Sequence, residues 1–242
     1  MSDEIIPLAL VTGAAHRLGR AFALYLARSG FAILLHYHRS QEKAEQTAKD
    51  IGSFGVPVYL HGADLTDQAD VQSLFESLDS IPYKLKVLVN SAAIMKRADI
   101  RKISVTDWDT TFALNLRTPF LLAQQAAERM TVGGLIVNIT DAGAQKAWND
   151  YPTYVVSKSA LKTLTRVLAK AYAPKIRVNA IAPGLVLPSE IITHEEWNSL
   201  VDRLPLKRPV SEDEVTAALN YLVKNEAITG QVIVVDGGYS LI

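Results

Sequence analysis

The chain has no cysteine, which removes disulfides, thiolate nucleophiles and thiolate metal sites together. It has no surplus of either charge. Lys and Arg number 25, as do Asp and Glu, so no global field draws it onto nucleic acid or an anionic membrane. No apolar run approaches the roughly 18 residues of a membrane span. The opening Met1-Ser2-Asp3-Glu4 lacks the basic-then-apolar pattern of a secretory signal. These absences lead to the expectation of a cytoplasmic protein with a small-molecule partner and no nucleic-acid or membrane partner. No linker divides the 242 residues, so 1–242 is expected to be a single domain.

What is present is a large apolar fraction, 49%, enough for a sizeable core. Short aliphatic runs recur at 5–11, 32–37, 57–60, 87–89, 135–139, 177–181 and 232–235. Each reads as a strand. Segments 18–29, 71–78, 108–130, 154–171 and 212–223 carry apolar residues at three- and four-residue spacing and read as helices. Strands buried on both faces and joined by helices form a parallel sheet. The predicted fold is therefore α/β: a Rossmann-type doubly wound sheet of about seven mostly parallel strands, with helices on both faces. Ligands of such sheets bind beyond the carboxyl ends of the strands. Segment 185–205, with Pro188, Trp197 and Pro205, breaks the alternation and reads as a lid over a substrate.

The first strand runs into Thr12-Gly13-Ala14-Ala15-His16-Arg17-Leu18-Gly19-Arg20. A glycine turn at a helix start lets backbone N–H groups approach a pyrophosphate, although an ordinary strand-to-helix turn reads the same way. After the second strand, His36-Tyr37-His38-Arg39-Ser40 lacks the acid that would bind a ribose 2′-hydroxyl. Arg39 and Ser40 suit a 2′-phosphate instead, which points to NADP, preferably NADPH. A solvated basic loop is the alternative. A metal on His36 and His38 would lack further ligands, and no metal is expected. Ala63-Asp64-Leu65 and Asn90-Ser91-Ala92-Ala93 follow the third and fourth strands. Their small residues leave room for a flat ring, and Asp64 is either an adenine partner or a helix cap.

Among nine tyrosines only Tyr154 has a lysine four residues on, Lys158, on the same helical face. A phenol near pKa 10 is a poor acid, and a nearby ammonium is expected to bring it closer to neutrality. Asn115 either holds a water that feeds the pair or faces solvent from a helix.

These motifs, with Pro183-Gly184, fall in the order and spacing of the short-chain dehydrogenases/reductases, which the whole chain resembles. Within that family, segments 12–20, 36–40 and 236–241 are most similar to the pteridine reductases. Asp141, thirteen residues before Tyr154, stands where most of the family carries a catalytic serine and where pteridine reductases carry an aspartate. Such an acid can pass a proton to the nitrogen of a C=N bond. The alternative is that Asp141 caps a turn and Thr140 does the work of the serine. The resemblance implies a catalytic set of Tyr154, Lys158, Asp141 and Asn115. It implies cofactor contacts at Gly13, Arg17, Leu18, Gly19, the 36–40 and 63–65 segments, Asn90, Ala92, Thr140, Tyr154, Lys158, Pro183 and Gly184. Substrate contacts are implied at Arg17, Met95, Asp141, Tyr154, Leu185 and Trp197. Met95 departs from the family, which stacks the pterin on a phenylalanine there. The resemblance further implies a homotetramer, and hydride transfer from NADPH to a C=N or C=O carbon of a dihydropterin, a dihydrofolate, a ketone or a 3-oxoacyl thioester. A non-catalytic NADP-sensing protein on the same fold is the reading from a different class.

Overall fold

A strand whose successive side chains are all apolar has two faces to cover. Leu8–Val11 (β1) is such a strand in the computed structural model, which describes residues 6–188 and 192–242. Ala9 and Val11 enter one core layer, and Leu8 and Leu10 the other. The chain continues through Arg17–Arg28 (α1), Ala32–Tyr37 (β2), Gln41–Gly52 (α2), Val58–Gly62 (β3), Gln68–Asp79 (α3) and Leu85–Asn90 (β4). Then come Val105–Phe112 (α4), Thr118–Arg129 (α5), Gly134–Ile139 (β5), Pro152–Tyr172 (α6), Ile176–Pro183 (β6), His194–Arg203 (α7), Glu212–Lys224 (α8) and Val232–Val235 (β7).

The strands form one seven-stranded sheet in the order β3-β2-β1-β4-β5-β6-β7. Every pairing is parallel, so the mostly parallel sheet expected from the sequence is wholly so. Phe22 and Leu26 of α1 and Leu219 of α8 cover one face. Phe75 of α3, Leu122 of α5 and Leu168 of α6 cover the other. Phe22 and Phe75 are fully buried, each contributing about 1.5–3 kcal/mol relative to an exposed side chain. The chain runs outward from β1 to β3, then returns to place β4 on the other side of β1. That reversal opens a crevice at the carboxyl ends of β1 and β4.

Several boundaries differ from the sequence reading for local reasons. β1 starts at Leu8 and leaves out Ile6 and Pro7 of the expected 5–11 run, since Pro7 has no N–H for the ladder; residue 5 lies outside the described residues. The helix expected over 108–130 is broken by a π-helical turn at Ala113–Arg117. Pro119 opens α5 without an N–H to give, and the Thr118 hydroxyl donates to the Ala113 carbonyl at 2.9 Å. α2 was not expected; its residues are mostly polar, and only Ala44, Thr47 and Ile51 are buried. α7 was not expected either. It is a helix with no buried residue, started by a capping box in which the Thr193 hydroxyl and the Glu196 carboxylate accept each other's backbone N–H. No described helix is long and apolar enough to cross a membrane.

Candidate active site

A cleft of about 1380 Å³ opens over the crevice, wider than the few hundred to 1,000 Å³ that a single drug-sized ligand fills. One half is lined by the β1–α1 turn and the ends of β2 and β3. Gly13 there has φ +65°, and a Cβ would meet the Ala92 backbone at 3.0 Å. A Cβ on Gly19 would collide with the Gly13 carbonyl oxygen. Neither position admits a side chain. The start of α1 has no side-chain cap and no acid in its first turn, which leaves its N–H groups open to an anion. Residues Arg17, Leu18 and Gly19 line the cleft at this point, so the chain fits a dinucleotide pyrophosphate.

His36 is buried beneath the turn with both ring nitrogens engaged. Nδ1 accepts from the Gly13 N–H at 3.2 Å, and Nε2 donates to the Ala63 carbonyl at 3.1 Å, in the only tautomer that serves both. Burial pulls its pKa down from 6.5 to about 4. His36 is thus a brace between β1, β2 and β3, and the metal alternative loses its first ligand. Tyr37, His38, Arg39 and Ser40 line the cleft with Ala63, Asp64 and Leu65. Arg39 makes no hydrogen bond or ion pair among the described residues. Asp64 Oδ1 accepts from the Thr66 N–H and hydroxyl. The cap of α3 is Asp67, not Asp64, so the helix-cap reading of Asp64 falls.

At the other half, the Tyr154 hydroxyl donates to Asp141 Oδ2 at 2.8 Å. Asp141 Oδ1 accepts from the Gly143 N–H at 2.6 Å and caps the short 3₁₀ turn Ala142–Gln145. The carboxylate therefore caps and faces the phenol at once. The Thr140 hydroxyl is taken up by the Ile181 carbonyl at 3.1 Å, which removes it as the serine's replacement. The Lys158 ammonium donates to the Ile139 carbonyl at 2.6 Å, and its nitrogen lies 5.8 Å from the Tyr154 ring centre. Burial lowers the Lys158 pKa to about 8, against the pull of Asp141.

One expectation is reversed. The phenol of Tyr154 is not made more acidic; burial, then the Asp141 charge, then their hydrogen bond hold it well above 10. Burial also raises Asp141, although its hydrogen bonds from Tyr154 and Gly143 oppose that shift. The phenol therefore carries its proton at neutral pH, as a donor requires.

Asn115 points inward because the π-turn rotates it there. It is fully buried. Its Nδ2 donates to the Ile94 carbonyl at 2.9 Å and to Ser157 Oγ at 3.0 Å, and its Oδ1 accepts from the Ile94 N–H at 2.8 Å. The solvent-facing alternative is thus excluded, but Asn115 does not line the cleft; it ties the loop after β4 to α6. Asn90 is a second correction, since its Nδ2 donates to Asn138 Oδ1 at 2.8 Å behind the cleft wall. Ala92, Thr140, Pro183 and Gly184 do line it, as do Met95, Leu185 and Trp197. Arg17, at φ +53°, sends its guanidinium to the carbonyls of Leu187 and Pro188 at 3.0 and 2.9 Å. The sequence reading missed Trp148, Tyr151 and Tyr239 as lining residues. For Trp148 and Tyr151, their clustering between Asp141 and Tyr154 was the available signal.

A parallel sheet in this strand order, an open glycine turn and a buried Tyr154-Lys158 pair define a dinucleotide-dependent oxidoreductase. The family model described as enoyl-(acyl carrier protein) reductase matches residues 13–240, and the chain belongs to the short-chain dehydrogenase/reductase family. Among solved structures it is similar to FolM alternative dihydrofolate reductase 1 from Brucella suis in complex with NADP. That likeness is at 38% identity and TM-score 0.92, over 98% of this chain and 96% of that one. Among curated proteins it is 33% identical to D-threitol dehydrogenase of Mycolicibacterium smegmatis, over 97% of this chain and 93% of that protein. It is 30% identical to the 3-oxoacyl-[acyl-carrier-protein] reductase FabG of Staphylococcus aureus, over 95% and 96%.

Proposed function

We propose that the protein is an NADPH-dependent reductase of the C=N bond of a dihydropterin or dihydrofolate. The observation that carries this reading is the 2.8 Å hydrogen bond from Tyr154 to Asp141. A ketone oxygen needs one proton donor, whereas a ring nitrogen is served by an acid–carboxylate pair that gives a proton and recovers another. The NADP-bound Brucella structure supports the same cofactor here. NADPH, when bound, supplies the hydride that reaches the substrate carbon. The Tyr154 hydroxyl then delivers its proton to the adjacent nitrogen, so that C=N becomes CH–NH. Asp141 Oδ2 holds the phenol in place and supports its reprotonation. Lys158 bonds a ribose hydroxyl, and Arg39 and Ser40 take the 2′-phosphate. The buried pairing of Tyr154 with Asp141, with Lys158 beside the phenol ring, speaks against a purely sensing protein.

The segment 185–205 serves as the substrate lid in this proposal, with Arg17 holding its Leu187 and Pro188 carbonyls; residues 189–191 lie outside the described ones. A homotetramer is supported by apolar side chains left exposed on α5 and α6, Phe120 and Val167, and on the edge strand β7, Val234. The reaction is tested by following NADPH absorbance with dihydrobiopterin and dihydrofolate. Turnover of either supports the proposal. Turnover of a ketone or 3-oxoacyl thioester alone, as the D-threitol dehydrogenase and FabG relatives allow, overturns it.

A further inference from the structure

The position expected to stack a flat substrate ring holds Met95, a flexible side chain that selects weakly for planarity. A rigid platform exists elsewhere in the cleft. Trp148 lines it and lies at a ring-centre distance of 6.0 Å from Tyr151, edge to face, and 5.8 Å from Tyr239. Its indole rests on the turn that Asp141 caps, so closely that a Cβ on Gly143 would collide with it. Tyr239 is buried and lines the same cleft, and the Lys146 ammonium sits 3.6 Å from its ring centre. Ala142, Leu204 and Leu185 complete this cluster. The Asp141 charge adds to burial in pushing the Tyr239 phenol up to about 12, which puts the aromatic wall within electrostatic reach of the proton-handling carboxylate.

From this arrangement we infer that Trp148, braced by Gly143 and Tyr239, is the specificity-determining wall against which a planar heteroaromatic substrate lies. The inference rests on the substrate class proposed above. A braced indole loses no rotamer freedom when a ring lies on it, and offset aromatic contact adds to the area buried. Trp197, the other tryptophan of the cleft, belongs to none of the aromatic pairs among the described residues. Trp108 is already stacked on Phe112 at 4.7 Å. The indole packs on the turn that Asp141 caps, so the wall and the carboxylate that accepts from Tyr154 are held by one piece of backbone. A flexible ketone gains little from such a surface.

The test uses the full chain with saturating NADPH for turnover, and with NADP⁺ for binding of oxidised biopterin followed by tryptophan fluorescence. Trp148→Leu is expected to raise KM for dihydrobiopterin about tenfold with kcat nearly unchanged, and to leave KM for an aliphatic ketone unchanged. Trp148→Phe, which keeps a ring on the same turn, is expected to restore most of that loss. Quenching by biopterin should fall when either variant removes the indole. An unchanged KM together with unchanged quenching overturns the inference. Should Trp148→Leu fail to fold, the quenching lost or kept in Trp148→Phe decides alone. A wild-type enzyme that shows Trp148-dependent quenching but no dihydropterin turnover sinks the proposed reaction and leaves the wall standing. Turnover that ignores Trp148 does the reverse.

Discussion

Acidification should loosen this protein through one buried imidazole. His36 has a pKa of about 4 in the folded chain against 6.5 ordinarily, because burial opposes its charge. The unfolded chain therefore binds the proton first as pH falls below 6.5, and each unit of descent favours unfolding until the folded-state value is passed. Above 6.5 there is no effect. The full loss, complete below about pH 4, is about 3 kcal/mol, and roughly 2 kcal/mol is gone by about pH 5. That is a large share of the 5–15 kcal/mol by which typical domains are stable. The assay is urea unfolding of the wild type and His36→Leu at several pH values between about 7 and 4.5. Leucine orphans the Gly13 N–H and the Ala63 carbonyl, so the variant should start lower near neutrality by about 1–3 kcal/mol for each group left unpaired. Its stability should then fall less steeply, since no imidazole remains there to charge. His61, also lowered by burial, is common to both proteins and cancels in the difference. A gap between wild type and variant that stays constant over this range would refute the assignment of the depressed pKa to His36.

Tyr154→Phe should reduce kcat by about 10²- to 10⁴-fold with cofactor affinity retained, measured by steady-state rates and NADPH titration. Asp141→Asn removes a charge that holds the phenol up, so Tyr154 should titrate at lower pH in a phenolate absorbance titration, while turnover falls. Gly19→Ala should cost about 1–3 kcal/mol in thermal or urea unfolding and weaken the dinucleotide, since the methyl meets the Gly13 carbonyl oxygen. Arg39→Ala should narrow a preference for NADPH over NADH by about tenfold, the worth of one charge-assisted hydrogen bond, read from paired Kd values.

The sheet was legible because its strands carry unbroken aliphatic runs, and β2 and β7 match the expected residues end for end. α2 was not, because a stripe of three buried residues leaves too little periodicity to see. α7 carries none at all, and only its capping box, Thr193 with Glu196, announces it. At the site, spacing was enough to find Tyr154 and Lys158, and the family resemblance to find Asp141, but neither gave the direction of the phenol's shift. That direction depends on how deeply a side chain is buried and on which neighbour it bonds, and four-residue spacing encodes neither. Asn90 was expected to touch the cofactor and Asn115 to act in the chemistry, yet both bond from behind the cleft wall, a distinction made only by three-dimensional packing.

The π-turn at Ala113–Arg117 makes the length of that segment part of the chemistry. A bulge of this kind is an ordinary helix with one residue to spare. Deleting any one of those five positions would let the helix heal. The flanking helices would keep their faces, because the spare residue adds no net rotation, and the residues of the bulge itself would be re-aimed. Asn115 or its replacement would turn away from Ile94 and Ser157 even with every side chain type preserved. Substitutions are therefore tolerated more readily along this stretch than a change of a single residue in its count.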